Sequence, residues 1–120
     1  MEKINIAGKF ELFSEYWSPK IIGELNGQQI RIAKAKGEFV WHHHDDADEM
    51  FMVMKGSLTI QFREKEVRLL EGEICIVPRG VEHRPVAGEE VHLLLFEPAS
   101  TLNTGNLTED EKTVRQPERL

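Results

Sequence analysis

The sequence predicts an all-β protein, an antiparallel barrel or jelly roll, and three observations carry that prediction. Short apolar runs recur roughly every 8 to 12 residues and are separated by Gly, Pro and Asn turn residues. No segment sustains a helical apolar period. Leu58, Ile60 and Phe62 alternate strictly with Ser57, Thr59 and Gln61, the pattern of a sheet with one wet face. Closing such a sheet removes its exposed edges and leaves room inside for a small ligand.

Taken in order, residues 1–18 carry Phe10, Leu12, Phe13, Tyr16 and Trp17, too many large apolar groups for a free tail. This segment is expected to pack on the barrel or on a dimer partner. The barrel is expected over 19–97. Lys20 to Leu25 reads as a strand, Asn26-Gly27 as a two-residue hairpin turn that needs positive φ, and Gln28 to Lys36 as the return strand. Along that strand Ile30 and Ile32 share a face with Lys34, opposite Gln29 and Arg31. Lys34 then either faces into the barrel or is turned out to water by a β-bulge. Met50 to Met54 reads as a buried strand. Lys55-Gly56 turns into Ser57 to Phe62, and Arg63-Glu64-Lys65 turns back toward Val67 and Leu69. Ile74 to Val77 and Val91 to Phe96 complete the strands. Residues 98–120 read as a polar tail in which Thr108 and Glu111 cap a short helix ending before Pro117.

Composition narrows the partners. The 120 residues suit one domain, with 40% hydrophobic and 30% charged residues, as in ordinary globular proteins. The net charge is −6 and no basic stripe is present, which argues against nucleic acid and anionic membranes as partners. Cys75 is the single cysteine and sits among Ile74, Ile76 and Val77 as a small buried hydrophobe. The first residues, MEKINIAGKF, lack the apolar stretch of a signal peptide, so a cytoplasmic location is expected.

The chemistry concentrates in WHHHDDADEMF, residues 41–51. On a strand His42 and His44 point one way while Trp41 and His43 point the other, so two imidazoles can share one ion. Glu49 follows a polar segment able to turn the chain and return a carboxylate to the same point. His83, which follows Pro78 and Gly80, supplies a fourth donor. His43 takes a surface role by its opposite parity, and Asp48 stands where it could orient a ligand imidazole.

The two stretches read H-x-H-x4-E-x6-G and G-x5-P-x-G-x2-H. In this they resemble the cupin superfamily, whose two motifs give three His and one Glu to a metal inside a small jelly-roll barrel. The resemblance covers roughly Gly37 to Phe96 and implies His42, His44, Glu49 and His83 as ligands, with Gly56, Gly72, Pro78 and Gly80 as turn residues. Two positions depart from the family pattern. Gly37 stands one residue nearer the first ligand than is usual, and the usual spacing would select His43 and Asp45. Ala87 also replaces an Asn that is not a ligand. WSPK, VPRGVEHRPVA, LLLFEP and TLNTGN further resemble stand-alone, single-domain cupins described as similar to mannose-6-phosphate isomerase. Likeness to the family also implies a homodimer.

Three imidazoles and a carboxylate suit one divalent transition metal, Fe, Mn, Ni, Co or Zn, with open positions for a small-molecule ligand such as a sugar, hydroxy acid or enediol. The expected activity is that of a metal-dependent isomerase, decarboxylase or dioxygenase, or else of a non-catalytic binding or sensing module. Acid, base and charge-clamp candidates are Lys34, Arg79, Glu82, Arg84 and His92.

Overall fold

The computed structural model describes residues Met1–Leu120. One short helix, α1 (Ile6–Phe10), precedes eight strands: β1 (Lys20–Leu25), β2 (Gln28–Glu38), β3 (Glu49–Lys55), β4 (Leu58–Phe62), β5 (Glu66–Leu69), β6 (Ile74–Val77), β7 (His83–Pro98) and β8 (Glu118–Arg119). Helix α1 is capped by Asn5, whose Oδ1 accepts from the Gly8 amide at 3.0 Å. The β1–β2 hairpin forms where Asn-Gly predicts it, with φ of 52° at Asn26 and 78° at Gly27.

The sheet closes around β7, which is much longer than the expected Val91–Phe96 segment. Its second half pairs with β2 and β3, and its first half pairs with β4 and the end of β2. Between Ala35↔Val91 and Gly37↔Ala87, the residues Gly88, Glu89 and Glu90 together oppose Lys36 alone. Such an insertion bends and twists its strand, which lets one strand serve two parts of a closed sheet. All pairings between these strands are antiparallel except the short β1–β8 contact. The architecture is the expected all-β jelly roll.

Two apolar clusters lie on opposite sides of the β2–β7 wall. The inner one includes Ala33, Ala35, Phe51, Val53, Leu58, Ile60, Leu93 and Leu95, with half-buried Cys75 packed against it. The outer one joins Phe10 and Phe13 to Ile22 and Ile32, so the N-terminal segment covers the outside of β1 and β2. Burying a side chain such as Leu58 or Ile60, each 0% exposed, contributes about 1.5–3 kcal/mol.

This arrangement corrects the expected orientation of β2. Lys34 does share a face with Ile30 and Ile32, but that face is the outer one, and its Nζ donates to the Phe13 carbonyl at 2.6 Å. The bulge comes after Lys34, between Ala35 and Gly37, and does not rotate it. The inner face carries Gln29, Arg31, Ala33 and Ala35.

The C-terminal residues also differ from expectation. No helix forms near Thr108, because side chains there bond the backbone in competing turns. Thr104 Oγ1 donates to the Leu107 carbonyl at 2.5 Å, and Asp110 Oδ1 accepts from the Lys112 amide at 2.9 Å. The chain then returns so that β8 pairs with β1.

Candidate metal centre

The β2–β3 connection brings His42 against His83 through a reciprocal backbone pair, His42 N–H to His83 O at 3.0 Å and His83 N–H to His42 O at 2.9 Å. Both rings are then fixed in the same way. His42 Nδ1 lies 2.9 Å from the Val40 carbonyl, and His83 Nδ1 lies 2.9 Å from the Val81 carbonyl. A carbonyl can only accept, so each Nδ1 carries a proton, and in the neutral ring each Nε2 presents a lone pair. Carbonyl partners of this kind orient imidazoles for metal ligation.

His44 follows two residues after His42 on the same side, and Glu49 opens β3. Glu49 Oε1 lies 3.2 Å from His44 Nε2 and 3.3 Å from His83 Nε2. One donor atom from each of His42, His44, Glu49 and His83 falls within 4.8 Å of the others. All four residues are buried, at 1%, 8%, 5% and 0% exposure.

A cation fits this donor set. His44 Nε2 is buried without a hydrogen bond of normal geometry, a costly state unless its lone pair has a partner. Burial first, and then the repulsion that protonating His42 beside the His83 ring would meet, push the His42 imidazole down to about 4, so it stays neutral at pH 7. Burial alone would raise the Glu49 carboxyl, but His44 and His83 against it hold it well below the usual carboxylate range.

Behind Glu49 lies a buried pair that the sequence reading missed. Arg31 Nη1 meets Glu97 Oε1 at 3.0 Å, and both side chains are 2% exposed. Arg31 makes further bonds: Nε donates to Gln29 Oε1, and the two Nη groups also donate to the Thr101 and Ala99 carbonyls. The Glu97 carboxyl is pushed well above its usual range by burial and then by the neighbouring Glu49 charge. A small cavity of about 40 Å³ touches His42, Glu49 and Glu97, with Trp17, Phe39 and Phe51 among its apolar walls.

The remaining predicted residues lie elsewhere. His92 sits on the outer face, 3.0 Å from Glu90 Oε2 and stacked on Phe10 at 4.3 Å. Asp48 accepts from the Arg79 amide at 2.9 Å and steadies the turn before His83, touching no ligand imidazole. Arg79 is exposed, and Glu82 pairs with Arg63 at 2.5 Å. Arg84 bonds Gln61 and Glu38 and lies over the Trp41 ring, which places Trp41 outside the cavity as well. His43 points away from the cluster, with Nδ1 2.8 Å from Asp45 Oδ1. The His43/Asp45 alternative is therefore not brought to Glu49 and His83.

One signal could have found Glu97. Leu93, Leu95 and Glu97 share parity, so a glutamate follows two inner-facing leucines into the barrel. Arg31 shares parity with Ala33 and Ala35 in the same way.

A comparison with protein families matches residues 29–97 to the cupin domain. The chain belongs to the cupin family. This cupin is 48% identical to a cupin-2 domain containing protein from Shewanella frigidimarina, with a TM-score of 0.78 over 79% of this chain and 93% of that one. It is 31% identical to protein NMB1881 from Neisseria meningitidis, with a TM-score of 0.75 over 82% of this chain and 100% of that one. Protein YdbB of Bacillus subtilis is 42% identical over 64 residues, which span 52% of this chain and 57% of YdbB. No helix of this cupin is long and apolar enough to cross a membrane.

Proposed function

We propose that His42, His44, Glu49 and His83 hold one divalent transition metal, Fe, Mn, Ni, Co or Zn, and that the protein acts on a small oxygen-rich molecule chelated there. The observation that carries this reading is the convergence of four buried donor atoms within 4.8 Å. Bound in this set, a divalent ion supplies Lewis acidity at positions the protein leaves open. The Val40 and Val81 carbonyls keep the His42 and His83 lone pairs aimed inward, while Phe39, Phe51, Leu93 and Leu95 exclude water. A sugar, hydroxy acid or enediol suits these positions, and isomerisation, decarboxylation or dioxygenation are the reaction types in view. The likeness to the mannose-6-phosphate isomerase-like group is one of fold. The inner cation, Arg31, already donates to Gln29, Glu97, Thr101 and Ala99, so most of its donors are unavailable to a phosphate.

A second reading, a binding or sensing module without catalysis, is favoured by one observation. Beyond the four candidate ligands, the polar side chains on the cavity wall are Glu97 and Asn103. The Asn103 amide is taken at both ends, by the Lys112 carbonyl and the Val114 amide. Acid–base chemistry would therefore rest on Glu97.

The same reading includes a homodimer and a cytoplasmic location, where the lone thiol of Cys75 stays reduced. The outer face of β6, β3, β7 and β2 supports the dimer. Ile76, Met50, Phe96 and Ile30 form one cross-strand row, next to Ile74, Met52 and Leu94, and Ile74 and Ile76 are 51% and 59% exposed. An apolar sheet face of this kind marks a contact surface.

Metal content tests the central reading. Protein purified without chelator or affinity resin is expected to carry near-stoichiometric metal, and the His44→Ala/His83→Ala double variant to carry none. If both forms stay metal-free after incubation with divalent ions, the reading is wrong.

A further inference from the structure

We propose that residues 99–106 form a latch that positions the metal ligands, with Asn106 as its positioning residue; this rests on the reading of His42, His44, Glu49 and His83 as a metal site. The backbone of the ligand segment is held from three directions. His42 pairs with His83, and the His44 carbonyl accepts from the Gly80 amide at 2.7 Å. His43, between the two ligands, turns its backbone groups to the other side and meets Asn106. Its amide donates to Asn106 Oδ1 at 2.9 Å, and its carbonyl accepts from the Asn106 amide at 3.0 Å. One residue thus closes both backbone groups of His43, as a neighbouring strand would.

Gly105 shows how close the latch comes. Its φ is +57°, and a Cβ there would lie 2.1 Å from the His43 carbonyl oxygen and 3.2 Å from Cδ2 of the His42 ring. Only glycine permits this approach. The segment is anchored at both ends of the contact. Arg31 donates to the Ala99 and Thr101 carbonyls at 3.1 and 2.8 Å, while Thr104, 0% exposed, bonds the Leu107 carbonyl and Thr113. Between the latch and the Asp45–Ala47 loop, a cavity of about 210 Å³ reaches His44. A hydrated divalent ion fits that space, so the latch also borders the approach to an imidazole whose Nε2 has no hydrogen bond. The TLNTGN stretch is in this way part of the centre, although it lies outside both metal motifs.

The test uses the full chain loaded with Co(II), whose visible absorption reports ligand geometry. Release of Co(II) to excess chelator is timed for the wild type, Asn106→Ala, Asn106→Asp and Gly105→Ala. Groups that orient metal ligands typically change affinity about 10- to 100-fold. Asn106→Ala is expected to release Co(II) about tenfold faster and to shift its absorption band. Asn106→Asp keeps the Oδ1 acceptor and is expected to stay within about threefold of the wild type. Asn106 is exposed, so its truncation leaves no void, and the variant reports even where Gly105→Ala fails to fold. Wild-type release and an unchanged band in Asn106→Ala would overturn the latch, whatever happens to the Tm of the metal-free protein. If the wild type itself takes up no Co(II), the metal reading falls and the latch falls with it.

Discussion

Replacing Arg31 by Met should destabilise this cupin by about 4 kcal/mol. The magnitude follows from the partners left behind. Glu97, 2% exposed, would lose the one cation beside it, and where its carboxyl is ionised, leaving that buried charge unpaired costs about 3–5 kcal/mol. The Ala99 and Thr101 carbonyls would lose their donors as well, but they are only partly buried and water can replace part of what they lose. For a chain of 120 residues, with an unfolding entropy of about 2.1 cal/mol/K per residue, 4 kcal/mol lowers Tm by roughly 15 °C.

The assay is a double-mutant cycle by urea unfolding of chelator-treated protein, comparing Arg31→Met, Glu97→Leu and the pair. Replacing both members with apolar groups leaves no lone charge, so the double variant should lose less than the sum of the singles by about 2–3 kcal/mol. The pH dependence supplies a second check. Burial and the Glu49 charge already raise the Glu97 carboxyl, and removing Arg31 takes away a group that lowers it. An acid whose folded pKa is raised binds more protons folded than unfolded, so its contribution is lost as pH rises. The deficit of Arg31→Met should therefore grow as pH rises through the raised range in which the wild-type Glu97 carboxyl loses its proton. Additive single losses, together with a flat pH profile, would refute the claim that this pair is an interacting unit behind Glu49.

Three further outcomes follow from the same geometry. His42 is held near 4 against an ordinary value of 6.5, so it contributes stability that is full above 6.5 and is lost as pH falls toward 4; chelator-treated protein should lose about 3 kcal/mol across that window by urea unfolding. Gly56→Ala should cost about 1–3 kcal/mol, because φ there is 88° and the new Cβ would lie 3.0 Å from the Glu90 carbonyl; a Tm unchanged within error would contradict the turn geometry. Ile74→Lys/Ile76→Lys should convert a dimer to monomer in sedimentation while leaving the circular dichroism unchanged, and a monomeric wild type would remove the proposed use of that face.

Much of the site was legible because its residues lie in two short stretches with fixed alternation. His42 and His44 share a face by parity alone, and the Asp45–Asp48 segment is short and polar enough to bring Glu49 back beside them. His83 could be placed because Pro78 and Gly80 end one strand and begin a turn. The groups behind these ligands were not legible, since they enter from β2, from the end of β7 and from the C-terminal segment, and no local spacing relates Arg31 or Asn106 to His42. The N-terminal helix was equally hidden. Five residues are too few for an apolar period, and Asn5 alone marks its start.

The reversed faces of β2 have a more general cause. Alternation tells which residues of a strand share a face; it does not tell which face is inside. The usual rule puts the isoleucines inward, and here β2 has both faces covered, the outer by Phe10 and Phe13 and the inner by the barrel. The inner face also borders a charged centre, so it carries Gln29 and Arg31 along with Ala33 and Ala35. In a small barrel built around four polar ligands, the larger apolar residues of a wall strand can therefore belong to its outer layer. A better guide on β2 was size. Alanines at 33 and 35 leave room that the inward-facing Phe51 and Leu93 fill, whereas Ile30 and Ile32 have the bulk to meet a covering segment. Applied to β7, parity with Leu93 and Leu95 places Glu97 inside, beside Arg31, and identifies the pair on which the stability of the region behind Glu49 should depend.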